Sequence, residues 1–176
     1  DYDFILWGSW PNGEEMYREY GAYLNDYDNP NENPSICSNN VAVINTAARH
    51  IRIPREEYDN IQFVEFANCK FTEEASFNEL LKISAEHESL VEEFGYGGYG
   101  VHYLRPYRGF DDAFAYDMIR MAHWYNRETR AENVKKGAAM SQFMNDKGIS
   151  EKYATHIESC GNRKVFGMEQ IYNSVD

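Results

Sequence analysis

The sequence predicts an α+β fold: a small mixed or antiparallel sheet packed by helices, with a helical C-terminal third. Three patterns carry this expectation. Apolar residues alternate or cluster at strand spacing in 61–66 and 99–107. They recur every three or four residues from Phe77 to Phe94, the spacing of one helix face. Helical spacing resumes after about residue 110. A hydrophobic fraction of 43% and an aromatic fraction of 15% supply the apolar area that disordered acidic chains lack. A length of 176 residues fits a single domain, 1–176.

Phe4, Ile5, Leu6 and Trp7 form a short apolar run ended by Gly8 and Pro11, as in a buried strand. Asn12 with Glu15 three residues on reads as a helix start. Met16, Tyr17, Tyr20, Tyr23, Leu24 and Tyr27 then continue at helical spacing. The stretch 26–40, rich in Asn, Asp, Pro and Ser, reads as a loop. The run 41–53 fits either a strand or a short helix before Pro54. After the strand at 61–66, Thr72 or Ser76 caps a helix whose stripe is Phe77, Leu80, Leu81, Ser84, His87, Val91 and Phe94. Gly95 closes that helix, and 99–107 returns as a strand. Phe110, Phe114, Met118, Met121, Ala122 and Tyr125 predict a helix behind Asp111 and Asp112. A second helix is expected over 130–145, and a third from Ser150 to about Ser159.

Charge divides the chain. Residues 1–126 carry 22 acidic and 9 basic groups, a net of −13, whereas 127–176 carry 8 basic and 7 acidic groups, a net of +1. An acidic body repels nucleic acid at long range, because phosphate binding needs cations that displace counterions. No apolar run approaches the roughly 20 residues of a membrane-spanning helix. Cys37, Cys69 and Cys160 are odd in number and far apart, so idle or buried thiols in a reducing intracellular compartment are expected. The chain begins at Asp1, consistent with removal or omission of an initiator Met or targeting peptide, so the compartment itself stays open.

The chemical motifs are weak. Gly95, Gly97 and Gly100 have GxGxxG spacing, but the order is helix then strand, the reverse of a dinucleotide site. A Gly/Tyr connection is the simpler reading. His50, His87, His102, His123 and His156 are scattered, with no zinc-ligand spacing. His156 and Glu158 lack the cysteine pair that a zinc deaminase needs, and His87 reads as a hydrogen-bonded ring on an apolar stripe. Adjacent acids such as Glu73–Glu74 point in different directions on a helix and read as solvated surface. No metal, cofactor or catalytic residue is therefore expected. Tyr96, Tyr99, Tyr103, Arg105, Tyr107 and Arg108 are candidates for a partner-binding surface, since Tyr and Arg most often anchor recognition. Core packing is the alternative.

Residues 141–173 contain a glycine turn at Gly148, Ile149 and Ser150, a following segment 151–159, and Gly161, Asn162, Arg163 and Lys164. This stretch resembles the helix-turn-helix of Cro-like repressors. The resemblance implies that Lys152, Tyr153, Thr155 and His156 face a major groove, with Arg163 and Lys164 on phosphates. A plain helical hairpin is the alternative. The reading that follows is a non-enzymatic acidic domain that docks on a protein with a basic surface, as inhibitor, adaptor or assembly subunit, or as a nucleic-acid mimic. The alternatives are a DNA-binding regulator using 141–173, and an enzyme whose site gathers distant groups around His102, His123 and nearby acids.

Overall fold

The computed structural model describes residues 10–12, 14–16, 18, 42–108, 110 and 114–169. The chain divides into two compact units, Asp1–Asn40 and Val41–Asp176. Within the first, Asn12 Oδ1 accepts the Glu15 backbone N–H at 2.9 Å, the expected cap on a helical turn. The strand expected over 3–9, the later part of the tyrosine helix and the 26–40 loop lie outside the described residues.

The second unit is α+β. Its strands are β1 (Ala42–Ile51), β2 (Ile61–Phe71), β3 (Tyr99–Arg108), β4 (Met118–Trp124), β5 (Ile157–Cys160) and β6 (Lys164–Glu169). They form one sheet in the order β1-β3-β4-β2, with β5 and β6 both pairing β2 along its outer side. Every pairing is antiparallel. The helices are α1 (Phe77–Glu93), α2 (Arg127–Asp146) and α3 (Ile149–Ala154), and a 3-10 turn spans Arg55–Glu57.

Local chemistry sets the helix limits. Ser76 Oγ accepts from the Glu79 N–H at 3.4 Å, and Asn126 Oδ1 from the Thr129 N–H at 2.8 Å, so each side chain satisfies an end donor that the helix cannot. Helix α1 buries Leu80, Ser84 and Val91 of the expected stripe together with Ile83 and Glu88, while Phe77, Leu81, His87 and Phe94 of that stripe are half-buried. Gly95 follows at φ +82°, a left-handed value that glycine adopts without steric penalty. Met140 and Met144 from α2 and Ile149 from α3 join Leu80 and Val91 against Cys69, Val101, Tyr103, Met118 and Ala122 of the sheet. The opposite sheet face has its own cluster, in which Val64, Leu104 and Met121 are buried beside Val43, Phe66, Ile119, Phe166 and Met168.

Three expectations are corrected. The ambiguous run before Pro54 is a strand, but 118–124 is also a strand and not the end of a helix. Met118 and Ala122 pack toward the helices, while Met121 joins the cluster on the other face. A strand buried on both faces loses its alternation, so its apolar spacing can imitate a helix. The segment 151–159 is likewise not one helix. Helix α3 ends at Ala154, Thr155 Oγ1 bonds back to the Lys152 carbonyl at 2.7 Å, and Ile157–Cys160 leaves as β5. The expected helix is therefore cut short, holding Lys152 and Tyr153 but leaving Thr155 and His156 beyond its last residue, because pairing with β2 outweighs the local pattern. Finally, Cys69 and Cys160 oppose each other on β2 and β5 and form a disulfide of 2.07 Å. They are not idle thiols, and the expectation of a reducing compartment loses its premise. A separation of 91 residues hides such a pair until strand register is known.

Candidate functional site

Strand register brings three histidines together. His50 on β1 lies opposite Gly100 on β3, and Gly100 lies opposite His123 on β4. His102 stands two residues beyond Gly100 and so projects from the same face. The ring centroids are 5.0 Å apart for His50 and His102, 5.6 Å for His50 and His123, and 5.7 Å for His102 and His123. Gly100 makes room for them. A Cβ there would lie 2.4 Å from His50 Nδ1 and 2.8 Å from His123 Cε1, closer than any side-chain carbon is tolerated. This is the close approach that a glycine inside a strand commonly marks.

Polar neighbours orient the rings. The Tyr125 hydroxyl meets His50 Nδ1 at 2.7 Å, and Asn45 Nδ2 donates to His102 Nδ1 at 3.0 Å. Tyr58 stacks on Tyr125, with centroids 4.5 Å apart, and both Tyr58 and Arg52 act electrostatically on its hydroxyl. Burial, aided by the Tyr58 phenol, pushes Tyr125 up to about 12 against the opposing pull of Arg52, so it remains a neutral hydroxyl. All three imidazoles are shifted the other way. Burial, and then the neighbouring rings, take His102 and His123 down to about 4, and His50 is lowered by burial and by Arg52. At neutral pH the cluster is uncharged.

Among the described residues no carboxylate acts on these rings. The forces on the three rings come from burial, from Arg52 and from one another; an adjacent acid would raise their basicity. His102 and His123 thus come together as the enzyme reading anticipates, with no acid of the described residues acting on them. Among the described residues no group of three or more His, Cys, Asp or Glu is arranged to hold a metal ion.

The tyrosine and arginine stretch does not form a single surface. Tyr99 and Tyr103 are 7% and 2% exposed and point under the helices, because alternate residues of β3 face the core. There the Tyr99 hydroxyl donates to Glu88, the Tyr103 and Tyr153 hydroxyls lie 3.5 Å apart, and Arg120 stands among these groups. Burial and the Glu88 charge push Tyr99 strongly upward, so it acts as a hydrogen-bond donor. Tyr96 donates to the Asn133 carbonyl, which ties the glycine connection to α2. Tyr107 is exposed, Arg105 lies over the Phe77 ring, and the Arg108 side chain is outside the described residues.

Several of the residues assigned to a DNA groove make contacts within the chain. Lys152 Nζ pairs with Glu86 at 2.7 Å, Tyr153 packs edge-on against His87, and His156 Nδ1 accepts from the Ser76 N–H at 3.4 Å. The His87 ring also meets Glu88 at 3.3 Å, as its stripe position suggests. Arg163 reaches Glu65 at 3.5 Å, and Lys164 opens β6. A groove of about 490 Å³ lies between α1 and α3, lined by Glu79, Lys82, Glu86, Glu151, Lys152 and His156, among others. Among the described residues no helix is long and apolar enough to cross a membrane.

Sequence reasoning named His102 and His123 but missed His50, Arg52, Tyr58 and Tyr125 as their companions. The one linear signal was Gly100, a glycine within a strand, which marks a position where something must come close. No protein-family model, curated protein or solved structure matches the chain.

Proposed function

We propose that this protein is an acidic docking domain without a catalytic centre, and that it binds a basic segment of a protein partner. The observation that carries the reading is how the negative charge is arranged. With a formal net charge of −12, the exposed carboxylates are spread along the solvent sides of the helices and turns, including Glu73, Glu74, Glu79, Glu86, Glu92 and Glu151. Such a distribution accelerates encounter with a cationic partner, whereas an enzyme concentrates its acids beside the groups they activate.

The α1/α3 groove is the surface proposed for that segment. Glu79, Glu86 and Glu151 rim it, and the Lys side chains there are already engaged, Lys82 by Glu79 and Lys152 by Glu86. A Lys/Arg-rich peptide can exchange for these exposed ion pairs, because each contributes no more than about 1 kcal/mol. Fluorescence anisotropy with a labelled Lys/Arg-rich peptide tests the idea. Binding should weaken steeply with salt, and Glu79→Lys with Glu151→Lys should reduce affinity about tenfold or more. Peptide binding that is absent at low salt, or unaffected by the double charge reversal, overturns the proposal.

A further inference from the structure

Several lysines at the surface of the helices have carboxylate partners. Lys82, Lys136, Lys147 and Lys152 each meet one within 3.4 Å. The basic groups on the second sheet face are arranged differently. His50, His102, His123 and Arg52 gather with no described carboxylate acting on any of the three rings. The described residues that face them are neutral: Asn45 from β1, the Tyr58 ring from the turn before β2, and Tyr125 just beyond β4. The Tyr125 hydroxyl touches His50 Nδ1 at 2.7 Å, and Arg52, two residues beyond His50, acts on the same hydroxyl and on the His50 and His123 rings.

Such a cluster is comfortable only while uncharged. A proton on any ring puts a positive charge within 5.7 Å of another imidazole and close to Arg52, and no acid among the described residues is there to balance it. A bound anion would balance that charge. We propose that His50, His102, His123 and Arg52 form a binding site for a divalent oxyanion, of the sulfate or phosphate type, that fills as the imidazoles take up protons. The donor set suits this chemistry. Protonated imidazoles offer N–H on both ring nitrogens, the guanidinium offers a planar fork, and both bond strongly to anionic oxygens. His50 and Arg52 are exposed, which leaves the site open to solvent. Gly100 keeps the floor clear, since any Cβ would occupy the space where the His50 and His123 rings meet. Because binding and protonation are linked, acid raises affinity for the anion, and the anion raises the basicity of the rings.

Sulfate is the first probe, because it keeps the same charge across the range of interest. Calorimetry is done with the whole chain at about pH 7.5 and about pH 5.5, alongside NMR of the histidine ring protons. Affinity should rise about tenfold or more at the lower pH, with proton uptake and movement of the His50, His102 and His123 signals. Phenyl phosphate serves as the organic source of the same chemistry. Tighter binding than sulfate assigns the site to a phosphoryl group on a larger molecule, weaker binding assigns it to the free ion, and either upholds the site. Arg52→Gln, at an exposed position, should abolish the effect without changing the circular dichroism spectrum. His123→Gln should reduce proton uptake. The proposal fails if sulfate does not bind at about pH 5.5, if its affinity is equal at both pH values, or if Arg52→Gln binds it as well as the native chain. The docking groove lies on different residues, so neither result depends on the other.

Discussion

At the scale of single residues, Gly100 decides the geometry of the second sheet face. It has a buried central position between His50 and His123, and the two rings occupy the volume of a methyl group. Replacing it with Ala forces one imidazole out of its place. Overpacking of this kind costs about 1–3 kcal/mol, so Gly100→Ala should lower the urea midpoint and shift the His50 and His123 ring signals. A stability equal to that of the native chain would mean the rings move aside freely. Glu88 shows the same dependence on detail. It is 6% exposed, and the Tyr99 hydroxyl is what makes its burial tolerable, because a buried carboxylate needs donors.

At the scale of elements, β2 is the strand on which the second unit is organised. It pairs β4 on one side and both β5 and β6 on the other. The Cys69–Cys160 bond fastens β5 to it across 91 residues. A cross-link closing so long a loop removes many conformations from the unfolded chain, and loss of a native disulfide typically costs about 2–5 kcal/mol. Cys69→Ala with Cys160→Ala, or reduction of the native chain, should therefore lower the unfolding midpoint and increase hydrogen exchange in 157–169 first, because β5 and β6 are paired only through β2 among the described strands. Uniform loss of protection along all strands would contradict that order.

The elements also show how far local patterns reach. Helix α1 follows from its sequence because its cap, its stripe and its closing glycine agree, whereas α2 follows over 130–145 but its Asn126 cap and first turn do not. Strand β4 did not follow, since burial on both faces erases the period of two that identifies a strand. In 157–160 a local pattern compatible with helix was overridden by a neighbour far away in the chain. The Tyr/Arg stretch was correctly placed on a strand, but its reading as a surface overlooked the alternation that sends Tyr99 and Tyr103 inward.

At the scale of the whole molecule, the histidine cluster couples folding to pH. The folded pKa values of His102 and His123, about 4, lie below the ordinary value of 6.5. The unfolded chain thus binds protons that the folded chain refuses, and stability must fall with acid. The contribution is fully present above about pH 6.5 and is lost as pH falls toward about 4. Allowing for partial solvent exposure of the rings, it amounts to about 1–3 kcal/mol. Chemical denaturation between those pH values, with saturating sulfate left out, should show this slope, and His123→Gln should flatten it. An unchanged slope in the variant would place the acid sensitivity on other groups.

The sequence by itself determined the fold class, the two long helices, the strands β2 and β3 and the acidic balance, because each depends on periodicity, caps or composition within a short stretch. Only the tertiary structure decided the disulfide, the strand nature of 118–124 and 157–160, and the meeting of His50, His102 and His123. Those features depend on register between segments distant in the chain, and a linear pattern does not record which residues the folded sheet sets side by side.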